Sequence, residues 1–459
     1  MTTHRHRLLG ATALALSGAL LLAGCNSGQQ DTAAEVDTEA PVTISVSNKP
    51  TAESPEELAS FERRLEQFTT EHPNITVEAE ETEFEPDTFQ ALLAGGQLPT
   101  VFLVPFTEMQ GLIARQQVAD VTDYLGPHEV LQSINPSVNE VVKGDDGGTY
   151  GVPTNAYSMG LIYNRALFEQ AGLDPDAPPT DWEGVREAAR AIEEGTDAQG
   201  FATMTTENGG GWVLTTTSYG FGGLMQSEDG TQATVDNEAT KEVLQTYREM
   251  RFTDDTFGDN FLMNYDDINN AFAAGQIGMY VQGADQYSTM VTTKGMDPEH
   301  FGVGPLPQTE DGLGTLGGGT VAIVNPTATP EEITAAMAWI DHYYFQRYSD
   351  EEVARADAEA SVADGLSVGV PALPLLDQEA DDRYLGWIED QINVPRENYT
   401  AYLESTRTLP LVPEPPVKAQ ELYATLDPVV QAVLTREDAD IDALLAEAQS
   451  TVQSAIELG

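Results

Sequence analysis

Apolar residues recur along this chain with two alternating periods. Val42, Ile44 and Val46 are separated by polar residues, which predicts a strand. Ser54-Pro55-Glu56-Glu57 reads as a helix start, with Ser as cap, Pro in the first turn and Glu57 reaching back to complete a capping box. Leu58, Phe61, Leu65 and Phe68 supply that helix's apolar face, and it should end before His72-Pro73, because Pro lacks the donor. A second strand is predicted at Ile75–Ala79. Strand, helix and strand in this order predict a βαβ unit and a parallel sheet.

The same alternation continues. A helix over 89–94 should stop at Gly95-Gly96, and an apolar strand should occupy 101–104. Residues 109–113 read as helix and 159–163 as a buried strand. Gly172 is expected to close a short helix that contains Leu167 and Phe168. Thr180-Asp181-Trp182-Glu183 is a second capping-box pattern, ahead of Val185, Ala188, Ala189 and Ile192 on one face. Residues 266–275 followed by 276–281 predict a helix, a Gly stop and a strand. Residues 321–324 predict another strand, and Thr329-Pro330-Glu331-Glu332 a third capping box. Ile441, Leu444, Leu445, Ala448, Val452 and Ile456 mark an amphipathic C-terminal helix. Residues 353–416 carry no clear period.

Composition narrows the function classes. At 459 residues the chain suits two or three domains, and 41% hydrophobic content supports a real core. Asp and Glu number 75 against 21 Lys and Arg, a formal charge of −54. Such a surface repels nucleic acid and anionic lipid, so no nucleic-acid partner is expected. Calcium-loop spacing is absent, and His72, His128, His300 and His342 show no H-x-x-H pattern, so neither a metal site nor a cofactor is expected. Gly312 to Gly317 formally fit G-x-G-x-x-G. They follow a polar turn and precede a strand, the reverse of the context a dinucleotide needs.

The single cysteine, Cys25, excludes an internal disulfide. It follows a basic start (His4-Arg5-His6-Arg7) and an uncharged apolar run over 8–23. Leu22-Ala23-Gly24-Cys25 resembles the lipobox of bacterial lipoproteins, which implies a signal peptide over 1–24 and a lipid attached to Cys25. Residues 25–41 are polar and acidic, the composition of a flexible tether. A lipid anchor on the outer face of the cell membrane is the expected location.

Three submotifs carry a family resemblance: Tyr150-Gly151-Val152-Pro153, then LIYNRALFEQAGLD over 161–174, then PPTDWEGV over 178–185. In this order and spacing they resemble the bacterial extracellular solute-binding proteins of ABC importers, family 1, whose members mostly carry sugars. Phe68 to Val77, Val121 to Leu125, Ala271 to Met279, Gly304 to Pro307 and Gly369 to Ala372 resemble further family elements. Thr100 stands where many members have Asp.

The resemblance implies an α/β fold of the type II periplasmic-binding-protein-like class, with two lobes and a ligand cleft between them. A first lobe is expected over 42–149 plus 308–345 and a second over 150–307 plus 346–459. The crossings are expected near 150–152 and 304–307. Implied partners are a small-molecule solute, a carbohydrate by preference, and ABC permease subunits in the membrane. The protein is expected to be a monomer and not an enzyme. The alternatives are a secreted carbohydrate-active hydrolase, or a binding protein for a polyol, a glycerophosphodiester or another non-sugar solute. No carboxylate pair stands out for hydrolysis.

Candidate ligand-binding residues follow. Asn48 and Lys49 end the first strand, where parallel-sheet proteins place ligands. Phe106 is a candidate wall of the first lobe, Asn155 and Tyr157 match cleft positions, and Gly318 joins the candidate set. Trp212 follows three glycines that would let a helix start approach a ligand, and its flat ring suits the C–H face of a sugar. Asp285 stands where many members have an aromatic, which implies hydrogen bonding in place of stacking.

Overall fold

A computed structural model describes residues 40–458 apart from residues 228 and 259. The expected signal peptide, Cys25 and nearly all of the expected tether lie outside the described residues. The early alternation forms β1 (Val42–Val46) and β2 (Ile75–Ala79), parallel to each other and linked by the Pro55–Glu71 helix. After the Pro86–Gly95 helix, β3 (Val101–Pro105) runs parallel to β1. Gly96, at φ 63°, ends that helix in the left-handed conformation that Gly adopts without a Cβ clash.

Two long strands organise the rest. β4 (Val152–Asn164) lies antiparallel to β8 (Thr315–Val324) through its first half. Its second half pairs with β6 (Ile277–Gly283) and β7 (Phe301–Pro305). β5 (Gln199–Ala202) borders β6 in parallel, and β9 (Leu411–Pro413) borders the start of β8. The sheet order is β2-β1-β3-β8-β4-β6-β5, with β7 on β4 and β9 on β8.

Two large hydrophobic cores flank this sheet, and a small third cluster gathers Ala354, Ala358, Val368 and Ile388. The first gathers Ile44, Val46, Phe68, Phe102, Val152, Val321, Trp339 and Leu376; the second gathers Met159, Leu161, Tyr163, Phe201, Leu316, Tyr399 and Val430. β4 and β8 therefore pass from one core to the other, within one compact unit over 38–459. The passage falls at the register shift between Pro153 and Asn155 on β4, and at Gly317-Gly318-Gly319 on β8. Sequence pattern points to a return near 304–307. In the structure Gly304 and Pro305 pair with the second half of β4, and the Leu313 amide bonds to Tyr219 of the second core.

Of the three expected capping boxes, one forms as expected and two differ. Thr329 and Glu332 exchange both bonds (3.3 and 2.7 Å). At the second pattern the cap is Asp181, which accepts from the Gly184 amide at 2.8 Å. Trp182 sets that register, because its buried indole donates to the Pro307 carbonyl at 3.1 Å and fixes the first helical residue. Ser54 makes no side-chain cap bond. An unexpected box joins Asn264 and Asp267.

Candidate functional site

The Gly209–Gly220 helix starts in an unusual way. Glu207 and Asn208, neither a glycine, hold φ of 57° and 69°, a conformation costly for L side chains. Their loop is fixed by Asp427, a buried carboxylate on the Ala419–Thr435 helix. It accepts from the Asn208 amide at 2.8 Å and from the Gly211 amide at 2.9 Å. Helix starts leave such amides unpaired, and here a neighbouring helix supplies the acceptor. Burial raises the Asp427 pKa, partly offset by those bonds.

Gly210 and Gly211 serve this docking, while Gly209 lines a cavity beside Trp212. A Cβ on Gly210 would sit 2.9 Å from Asp427 Oδ1, and one on Gly211 would lie 2.5 Å from the Tyr423 Cα. The two helices close to backbone distance because neither position has a side chain. Trp212, the next residue, is half-buried, with its ring centroid 6.5 Å from that of Tyr157 at an interplanar angle of 72°.

Tyr157 and Trp212 line a cavity of about 340 Å³ with Glu207, Tyr265, Glu414 and Tyr423. Gly318, directly across from Tyr157, leaves room for the phenol, since a Cβ there would lie 2.7 Å from the ring. Burial first, then the charges of Glu414 and Asp285, raises the Tyr157 pKa, so it is a neutral hydroxyl that can donate or accept. Asp285 follows β6 and is exposed, yet enough protein surrounds it for partial desolvation to raise its carboxyl pKa.

A second cavity of about 420 Å³ is lined from both cores, by Phe106, Gln110 and Glu140 on one side and Tyr219, Leu224 and Glu414 on the other. Phe106 is buried over Gly319. Gly318 and Gly319 are successive residues of β8, so Tyr157 and Phe106 lie on opposite faces of the crossing strands. Glu414 lines both cavities. Tyr423 donates to its Oε1 at 3.0 Å, and burial raises its pKa.

The remaining candidates lie elsewhere. Asn155 accepts from the Thr320 amide at 3.1 Å and lines a third cavity, of about 380 Å³, with Arg347, Asp381 and Arg396. Asn48, at φ 60°, accepts from Ser47 Oγ at 2.8 Å, and Lys49 forms no ion pair among the described residues. Neither lines any of these three cavities. Sequence reasoning missed Glu414, Tyr423, Tyr265 and Asp427. Only Glu414 carried a cue, a carboxylate in the proline-rich run Pro413 to Pro416, and that is not specific.

Among the described residues no group of His, Cys, Asp and Glu is placed to hold a metal, and no helix is long and apolar enough to cross a membrane. Two cores joined by crossing strands, with cavities at the crossing, make up the type II periplasmic-binding-protein-like fold. The cyclic α-maltosyl-1,6-maltose binding protein of Arthrobacter globiformis has that fold with a TM-score of 0.68, at 20% identity, over 92% of this chain and 100% of its own.

The chain belongs to the bacterial extracellular solute-binding protein family, whose model matches residues 51–347, more than half of the sequence. A Brucella abortus binding protein is 27% identical over 237 residues, 48% of this chain and 53% of that one. The sn-glycerol-3-phosphate-binding periplasmic protein UgpB of Agrobacterium fabrum is 29% identical over 171 residues, 36% of this chain and 37% of its own. The chain thus spans about half the length, or less, of these curated relatives.

Proposed function

We propose that this protein is the solute-binding component of an ABC importer, which captures a carbohydrate outside the cell and hands it unchanged to membrane permease subunits. The observation that carries the reading is the Tyr157–Trp212 cavity, lined from the second core and by Tyr157 of β4, next to the second cavity that both cores line and that shares Glu414. Flat rings meet the C–H faces of a sugar there, while Tyr157, Glu414 and Asn208 offer polar partners to its hydroxyls.

The two cores are the two lobes of this reading; the first draws Val152 and Leu376 from outside the expected ranges 42–149 plus 308–345, and the second draws Leu316 from outside the expected ranges 150–307 plus 346–459. A solute touching both favours the closed arrangement, because only that arrangement lets it contact both. Tyr157 and Trp212 in this cavity and Phe106 in the adjoining one are its proposed contacts, with Glu414 added and with Asp285 and Gly318 beside Tyr157; Asn48, Lys49 and Asn155 line neither cavity and join them only on closure. A lipid on Cys25 holds the monomer at the outer face of the membrane. A thermal-shift screen against sugars, polyols and peptides tests this, since a ligand that binds only the folded state raises the melting temperature. A rise with carbohydrates is expected. No shift with any carbohydrate, together with release of product from a chromogenic glycoside, would favour the hydrolase instead.

A further inference from the structure

The cavity beside Trp212 sets two carboxylates among aromatic rings and is lined without a basic residue. Four aromatic residues line it, Tyr157, Trp212, Tyr265 and Tyr423, together with the carboxylates Glu207 and Glu414. No Lys, Arg or His is among its lining residues. The adjoining cavity shares Glu414, adds Glu140, and is likewise lined without a basic residue. Glu207, Glu414 and Asp285 form no ion pair among the described residues, although fifteen such pairs occur there.

Glu414 is the member set deepest. It is half-buried and lies between Tyr423 and the second cavity. Its Oε1 accepts the Tyr423 hydroxyl, and its Oε2 takes no hydrogen bond from the described residues. A half-buried carboxylate loses part of its hydration, and an opposite charge or further donors offset that loss. The protein places no cation there, so the balancing charge is left for the solute to bring. Aromatic faces add to this, since a ring's negative face attracts a cation within about 6 Å of its centroid.

We infer that the solute carries a positively charged nitrogen, a protonated amine on a carbohydrate frame, which pairs with Glu414 and is faced by Trp212 and the tyrosines. The inference rests on the reading of this cavity as the solute site. It also sets the chain apart from its glycerol-phosphate-binding relative, because a phosphate ester would meet carboxylates and no cation among these linings. Burial pushes the Glu414 carboxyl up, and an arriving cation would lower it again.

Titration calorimetry on the full folded chain at pH 6 tests this with four probes. They are a glucosamine disaccharide with free amines, its N-acetylated form, cellobiose and sn-glycerol 3-phosphate. The free-amine form is expected to bind at least tenfold more tightly than its acetylated form and cellobiose, with its affinity falling as salt rises. The phosphate ester is expected not to bind. In Glu414→Gln, which keeps an oxygen for Tyr423, the amine-to-acetyl ratio should fall close to one. Glu207→Gln should lower the same ratio by less, and serves if the first variant does not fold. Equal affinity for the amine and acetylated forms, an unchanged ratio in both variants, or binding of the phosphate ester would overturn the inference. Neutral-sugar binding with no amine preference would overturn it and leave the importer reading standing. No binding by any probe would sink both.

Discussion

Replacing Asp427 with Ala should loosen the start of the Gly209–Gly220 helix and with it the position of Trp212. The magnitude can be built from the contacts. The Gly211 amide is buried and would lose its only side-chain acceptor, a cost of about 1–3 kcal/mol. The Asn208 amide is half-buried and would cost about 1 kcal/mol, the scale of a lost helix cap. Relief of the desolvation that raises the Asp427 pKa offsets part of the loss. The net expectation is about 2–3 kcal/mol at pH 7. Urea unfolding followed by tryptophan fluorescence reads this as a lower midpoint at constant slope. Solute affinity should fall as well, since Glu207, Asn208 and Trp212 all line the cavity. A midpoint shift worth under about 0.5 kcal/mol with unchanged affinity would show that water replaces the carboxylate and that the cap does not organise the site.

Other consequences can be checked in the same material. Trp212→Ala should weaken binding of the best carbohydrate from the screen by more than about 1 kcal/mol by calorimetry; unchanged affinity would remove this ring from the site. Gly211→Ala should destabilise by about 2 kcal/mol or more, because its methyl would run into the Tyr423 backbone, and a neutral effect in urea unfolding would refute that helix contact. Asp381 has its carboxyl pushed up to about 6 by burial, so ionising it opposes folding. That penalty is absent below about pH 4, the unfolded value, and complete above pH 6. Asp381→Asn should therefore stabilise the protein by about 1–3 kcal/mol at pH 8 and have little effect at pH 4, and an equal effect at both would rule out the titration as its cause.

The fold was legible where one period dominates. β1 and β2 follow directly from alternation, and the 182–195 helix from its apolar face of Val185, Ala188, Ala189 and Ile192. Cap register was less legible, because Thr180 and Asp181 are both good caps and a tertiary bond from Trp182 decides between them. The same holds for the glycines before Trp212. Their spacing announces a close approach, but only the structure shows that the Tyr423 backbone is what approaches.

Part of the candidate site was named from the sequence: Tyr157 lies among the family-like submotifs and Trp212 follows three glycines, and the structure sets their ring centroids 6.5 Å apart. The rest lies in and beyond a region with no periodic pattern. Glu414 reaches the cavity because β9, three residues long, pairs with β8 nearly a hundred residues earlier in sequence. Tyr423 sits on a long helix whose docking depends on absent side chains at 210 and 211. Non-local pairing of this kind leaves no local mark in the sequence.

The most direct measurement is a crystal structure of the protein with the tightest-binding carbohydrate from the screen. The expected result is a sugar ring in van der Waals contact with Trp212 and Tyr157, a polar group of the solute within hydrogen-bond distance of Glu414, and contacts from both cores. Solute density confined to the cavity of Arg347, Asp381 and Arg396, or to the surface of one core alone, would contradict the account.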